Sequence, residues 1–153
     1  MSYWDTDKET ILGLRPEDFA VTRLFETRWR DNDSQGHMNN AVYYEYFDSA
    51  LNTWLHEGVN GEVEAGSVLQ FVVESGCKYL SEVAYPTPIL IGLKVTKLGR
   101  SSMVLEMGMF PVRNGEAGEI AALGHWAQVF VDPQTRRPTE IPGRIRAVLE
   151  SAT

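Results

Sequence analysis

Two carboxylates, a histidine, a glycine and two adjacent asparagines stand close together in the stretch Asp31-Asn32-Asp33-Ser34-Gln35-Gly36-His37-Met38-Asn39-Asn40. The run is rich in turn formers and leads directly into a helical pattern. It therefore sets acids beside the first turn of a helix, where amide N–H groups lack intrahelical partners and the dipole end is positive. Amides placed there can polarise the carbonyl oxygen of an ester or thioester, an effect on the order of 3 kcal/mol when it acts in the transition state. A nearby carboxylate could attack that carbonyl or activate a water. The same residue types also build turns and caps, so residue type and spacing leave both readings open. A calcium loop would need Asp31, Asp33 and Gly36 at its positions 1, 3 and 6, but its position 12 falls on Val42, where a bidentate glutamate is required. No metal site is expected.

The elements that must hold this loop are written in the periodicity. Upstream, Phe19 to Trp29 is rich in β-branched and aromatic residues and predicts a first strand. Downstream, Tyr44, Phe47, Asp48, Leu51, Trp54 and Leu55 share one helical stripe, predicting a helix from about Asn40 to Glu57 that stops at Gly58. Asp48 is the one charge in that stripe, and burying it would require donors nearby. The remainder reads as long strands: Val68 to Leu80, an alternation through Ile89, Ile91, Leu93 and Val95, another through Met103 to Met109, and Ile120 to Val131. Turns at 98–101 and 114–118 make these an antiparallel meander. Asp132 to Pro138 reads as an exposed turn, and Pro142 suits the first position of a short terminal helix. Ile89, Ile91, Leu93, Met103, Leu105 and Met107 fill one sheet face, while Tyr79, Thr96, Trp126, Gln128 and Phe130 give the other a partly polar character. One helix can cover only one face, so the second calls for another subunit and a homo-oligomer is expected.

The chain has 153 residues, 43% of them hydrophobic and 23% charged, which suits one folded domain over 19–153. The polar segment 1–18 is expected to be only partly ordered. A net charge of −7 with no basic stripe argues against nucleic acid. No run approaches the ~18 apolar residues of a membrane span. The lone Cys77 can form no internal disulfide and the first residues lack the regions of a signal peptide, so a cytoplasmic protein is expected.

The stretch from Trp29 to Asn40, with Tyr43-Tyr44 and the acidic Asp48 after it, resembles the hotdog-fold acyl-CoA thioesterases of the 4-hydroxybenzoyl-CoA thioesterase superfamily. Beyond the motif the resemblance is one of element order, from about Phe19 to Ile141, and includes Gly99-Arg100-Ser101-Ser102 in the central hairpin. It implies an α+β hotdog fold, a long central helix wrapped by an antiparallel sheet of about five strands and assembled as a homodimer or dimer of dimers. The implied activity is hydrolysis of an acyl-CoA thioester to a carboxylic acid and free coenzyme A, with no metal or other cofactor. Asp33 matches the family's catalytic carboxylate, nucleophile or general base. Asn40 matches the helix-start position whose backbone N–H polarises the carbonyl. Some members carry a histidine there; asparagine leaves only the backbone role.

Around this pair, His37 is expected chiefly to anchor the loop and Asn39 to cap the helix. Asp48 would support the loop or line the pocket, and Tyr43 would line an acyl pocket or belong to the core. His125 reads as a wall residue and His56 as a surface partner of the helix C-terminus. The coenzyme A phosphates require cations, for which Lys97 and Arg100, next to Ser101 in the hairpin, and Arg136 and Arg137 in the late turn are candidates. Two rival readings use the same residues. One is a hotdog hydratase or dehydratase, whose histidine–carboxylate pairing is not matched here. The other is a non-catalytic acyl-CoA-binding oligomeric module.

Overall fold

The computed structural model describes residues 2–60 and 66–153. The apolar alternations become strands β1 Val21–Phe25, β2 Leu69–Tyr79, β3 Ile89–Leu98, β4 Ser102–Arg113, the two-residue β5 Glu116–Ala117 and β6 Ala122–Val131. They pair antiparallel in the order β1-β3-β4-β6-β2, with β5 against β4. Three α-helices accompany them, α1 Lys8–Leu12, α2 Asn40–Val59 and α3 Gly143–Glu150. The long α2 packs on one face of the sheet, which is the hotdog arrangement. No helix among the described residues is long and apolar enough to cross a membrane.

The buried side of α2 is Tyr43, Tyr46, Phe47, Ala50, Leu51 and Leu55, packed against Ile91, Leu93, Met107 and Trp126 of the sheet. The expected stripe is therefore rotated. Tyr44 and Trp54 lie at its margin, and Asp48 is exposed, with its Oδ1 accepting from Asn52 Nδ2 at 3.1 Å. Aromatic residues at 43, 44, 46 and 47 offer two neighbouring stripes. The observed one lets small Ala50 face the sheet, gives the Tyr46 hydroxyl a buried acceptor and leaves the Asp48 charge in water. Gly58 does not end the helix. Asn60, at φ 48°, does so in the left-handed conformation, while Gly58 makes room for α3: a Cβ there would lie 2.7 Å from Val148 Cγ1. Pro142 likewise sits one residue earlier than expected, at the N-cap of α3.

Further expectations are corrected. The first strand ends at Phe25, and Trp29–Asp31 forms a 3-10 turn because the Asp31 carboxylate folds back on the Arg28 N–H. Trp126, Gln128 and Phe130 face α2 rather than the opposite side, since Trp126 pairs with Leu105 and Gln128 with Met103. The outer face is closed by the chain's own N-terminal segment, not left for another subunit. Ile11, Leu14 and Phe19 pack there on Phe110, Ile120 and Leu123. The cross-strand glycines Gly92 and Gly108 form the seat for Phe19, because a Cβ on either would come within 2.7 Å of its ring. The fully buried Glu106 carboxylate accepts from Ser2 Oγ and from the Tyr3 and Trp4 N–H groups, both at 2.9 Å. Packing and these bonds order a segment for which the sequence predicted little order.

Candidate active site

The loop between β1 and α2 is built around Asp31, whose side chain is only 1% exposed. Its carboxylate accepts from Arg28 N at 2.7 Å, Arg28 Nε at 2.9 Å and the Tyr46 hydroxyl, and it pairs with Arg28 Nη2 at 2.8 Å. Burial alone would raise the Asp31 pKa, but the Tyr46 hydroxyl and the Arg28 donors outweigh it and hold the carboxyl below its ordinary range. Burial and the bond to Asp31 push the Tyr46 phenol up to about 12. Arg28 also reaches Glu45 at 3.0 Å, so the loop is tied to α2 at two points. A cavity of about 260 Å³ lined by Phe25, Glu26, Arg28, Glu45, Tyr46 and Ser49 opens beside this network, and neither Asp33 nor Asn40 lines it.

Asp33 stands at the start of a tight reverse turn. Its N–H donates to His37 O at 2.9 Å, Gly36 N–H donates to Asp33 O at 3.1 Å, and the turn closes through Gly36 at φ 83°. Its Oδ1 accepts from Gln35 N–H at 2.8 Å, and its other oxygen accepts no hydrogen bond among the described residues. The carboxylate is half-buried, so one oxygen is anchored and the other free.

The start of α2 leaves one donor open. Asn39 N–H donates to Asp31 O at 2.9 Å, Ala41 N–H to Asn39 Oδ1 at 2.9 Å, and Val42 N–H to Asn39 O at 2.9 Å. The Asn40 N–H between them has no acceptor among the described residues and lies on the exposed end of the helix. Asn39 is thus the N-cap expected for it. From the sheet, Tyr79 on β2 donates its hydroxyl to Asn40 O at 2.8 Å and sets its ring edge-on to Tyr43, with centroids 4.9 Å apart. Met38 N–H donates to Val83 O at 2.7 Å and Tyr85 N–H to Asn32 Oδ1 at 3.0 Å, so residues 83–85 brace the loop from the other side.

The predicted site residues divide. Asp33, His37, Asn39, Asn40 and Tyr43 all lie in the β1–α2 loop and the first turn of α2, at the end of the sheet where Tyr79 meets Asn40 and Tyr43. His37 is half-buried, its Nδ1 3.3 Å from Met38 O and its Nε2 3.9 Å from Glu82. Tyr43 is buried in the core beneath Asn40. Asp48 is not brought to the loop, being more than two helical turns along α2 on its exposed side. Arg100 and Ser101 lie at the opposite end of the sheet. Tyr79 pairs with Ala122 and Ala122 with Met109, seven residues along β4 from Ser102, or about 23 Å. Lys97, Arg136 and Arg137 are exposed. His125 is a wall residue of the outer face, stacked on Trp4 at 5.1 Å with Nε2 3.1 Å from Glu74, but its Nδ1 is buried without a hydrogen-bond partner among the described residues. His56 sits at the surface in the last turn of α2.

Two contributors escaped the sequence reading. Asp31, weighed as a turn or cap residue and as a position of a calcium loop, is the buried acid that organises the loop; Arg28 three residues before it was the available signal. Tyr79 reaches Asn40 across 39 residues, and no local pattern announces that contact. Among the described residues no cluster of His, Cys, Asp and Glu is arranged to hold a metal ion.

A sequence profile described as the thioesterase-like superfamily matches residues 27–149. Comparison with curated protein sequences finds no match. Among solved structures, the PA5185 protein of Pseudomonas aeruginosa strain PAO1 is 38% identical over 90% of this chain and 94% of its own, with a TM-score of 0.83. PA2801, a thioesterase candidate from Pseudomonas aeruginosa, is 30% identical over 86% and 98%, with a TM-score of 0.75. Slr0204, a 1,4-dihydroxy-2-naphthoyl-CoA thioesterase from Synechocystis, is 12% identical over 84% and 93%, with a TM-score of 0.73, and shares the fold.

Proposed function

Because the chain belongs to the thioesterase-like superfamily, we propose that it hydrolyses acyl-coenzyme A thioesters to a carboxylic acid and free coenzyme A. What supports this reading is that one loop carries both a half-buried carboxylate with one oxygen free of hydrogen bonds, Asp33, and, seven residues on, an amide of the α2 first turn that has no acceptor among the described residues, Asn40. The substrate carbonyl oxygen would rest on the Asn40 N–H, and the negative charge that develops on it would be favoured by the helix dipole. Asp33 then acts in one of two ways. As general base it takes a proton from water, the hydroxide adds to the carbonyl, the C–S bond breaks, and the proton returns to the departing thiolate. As nucleophile it adds to the carbonyl itself, expels the thiolate, and leaves an anhydride that water hydrolyses. Neither route draws on a metal or redox cofactor. The named substrate of the Synechocystis relative is a coenzyme A thioester, which supports the same carrier here.

A homodimer completes the proposal. Among the described residues β2 is an edge strand with one side unpaired, and it exposes Phe71, Val72 and Val73. A second copy adding its β2 antiparallel about a two-fold axis would set the Tyr79 end of one strand beside the Leu69 end of the other. The Leu69 end is the end of the 98–101 hairpin, so Arg100 of one copy would approach Asp33 of the other, where the coenzyme A phosphates need a cation. We infer a cytoplasmic location from the single cysteine, Cys77, which can form no internal disulfide and suits a reducing compartment.

The test is thiol release from short, branched, aromatic and long-chain acyl-CoA esters by the wild type and by Asp33→Asn. The substitution is expected to lower turnover by about 10²–10⁴. Wild-type rates in the variant remove Asp33 from the mechanism. Gain of water with the thioester intact replaces hydrolysis by hydration, and binding without thiol release makes the chain a carrier.

A further inference from the structure

We propose that Tyr79 is a positioning residue that fixes the Asn40 N–H in the direction from which it polarises the substrate carbonyl. This inference rests on the thioesterase reading and deepens it. The Asn40 N–H belongs to the Asn39–Asn40 peptide unit, whose carbonyl accepts from Val42 N–H at 2.9 Å. The next peptide unit, Asn40–Ala41, is held at both ends, since Tyr79 Oη donates to Asn40 O at 2.8 Å and Ala41 N–H donates to Asn39 Oδ1 at 2.9 Å. The open amide thus sits between peptides that are each pinned, and of the pins described here only Tyr79 comes from the sheet. It is also the one that fixes where the helix start lies relative to β2.

Two further features suit Tyr79 to this task. Its ring is set edge-on to Tyr43 in the first turn of α2, with centroids 4.9 Å apart, a contact that favours the orientation in which the hydroxyl reaches Asn40 O. Burial comes first among the causes that hold its phenol above the ordinary tyrosine range, so it remains a donor throughout the working pH range. The hydroxyl bonds to a backbone oxygen and need not touch the substrate. Its effect reaches the reaction through the direction of the Asn40 amide, which matters most where charge develops on the carbonyl oxygen. The role therefore predicts a loss in kcat rather than in KM.

The experiment compares wild type with Tyr79→Phe, which keeps the ring packing and removes the hydroxyl. The acyl-CoA ester that the wild type hydrolyses best serves as substrate. A lost hydrogen bond of ordinary strength corresponds to a fall in kcat of about five- to tenfold, with KM within about twofold of wild type. Unchanged kcat, or a rise in KM alone, overturns the proposal. Amide NMR of the ligand-free protein gives a second readout that does not depend on activity. In Tyr79→Phe the Asn40 and Ala41 resonances should move and exchange of the Ala41 N–H, which is bonded to Asn39 Oδ1, should quicken, while amides in β3 and β4 stay in place. Unmoved Asn40 and Ala41 resonances overturn the positioning role even if no acyl-CoA is turned over, whereas a shifted spectrum in a protein inert toward every thioester overturns the hydrolytic reading alone.

Discussion

Replacing Asp31 by asparagine probes the strongest electrostatic contact in the loop. The carboxylate receives three donors from Arg28, at 2.7, 2.8 and 2.9 Å, and the Tyr46 hydroxyl. Neutralising an acceptor weakens each such bond by on the order of 1 kcal/mol, giving an upper figure of about 4 kcal/mol. The Arg28 side chain is 42% exposed, so its guanidinium regains hydration and the expected loss falls to about 2–3 kcal/mol. In a chain of this length that lowers Tm by about 5–10 °C. The pH dependence carries the sharper test. Asp31 is held below its ordinary pKa in the folded protein, so its stabilisation is present above the unfolded value of about 3.9 and is lost as pH falls through the lower folded value. Urea and thermal unfolding followed by circular dichroism should show the full gap between wild type and Asp31→Asn at pH 7. The gap should narrow below about pH 4. Equal stability at pH 7, or a gap undiminished in acid, would refute the argument.

The other substitutions test packing. Gly58→Ala should destabilise by about 1–2 kcal/mol, because a Cβ 2.7 Å from Val148 Cγ1 outweighs a gain of about 1 kcal/mol in helix propensity. Urea unfolding of Gly58→Ala combined with Val148→Ala should recover that gain as a coupling between the two sites. Glu106→Gln should cost about 2–4 kcal/mol, since an amide cannot accept from Ser2, Tyr3 and Trp4 without turning its own donors toward them. Its signature would be quicker amide exchange at Tyr3 and Trp4 and dye binding to the uncovered outer face.

What the sequence disclosed and what it withheld follow from the range of the forces involved. β3 and β4 were legible because Ile89 to Val95 and Met103 to Met109 alternate, and alternation is a property of neighbours that each strand carries alone. The cap at Asn39 and the turn closed by Gly36 were legible for the same reason. The phase of α2 was not. Tyr43, Tyr44, Tyr46 and Phe47 form two adjacent apolar stripes, and the choice between them was made by a partner outside the helix, the Asp31 carboxylate that receives the Tyr46 hydroxyl. That one contact also explains why the wrong acid was given the need for donors. Asp48 looked buried only on the stripe through Tyr44, and once Tyr46 turns inward Asp48 turns outward. The N-terminal segment was opaque because its order comes from positions far along the chain, the glycine seat at 92 and 108 and the buried acid at 106. The candidate site shows the same division. The groups proposed to react, Asp33 and Asn40, lie seven residues apart and were visible together, while the contacts that hold the loop and the helix start, Tyr46 to Asp31 and Tyr79 to Asn40, depend on side chains brought in from α2 and β2. Aiming a loop requires anchors on elements that the loop does not contain, so the residues that orient a site are less legible in a local motif than the residues that react.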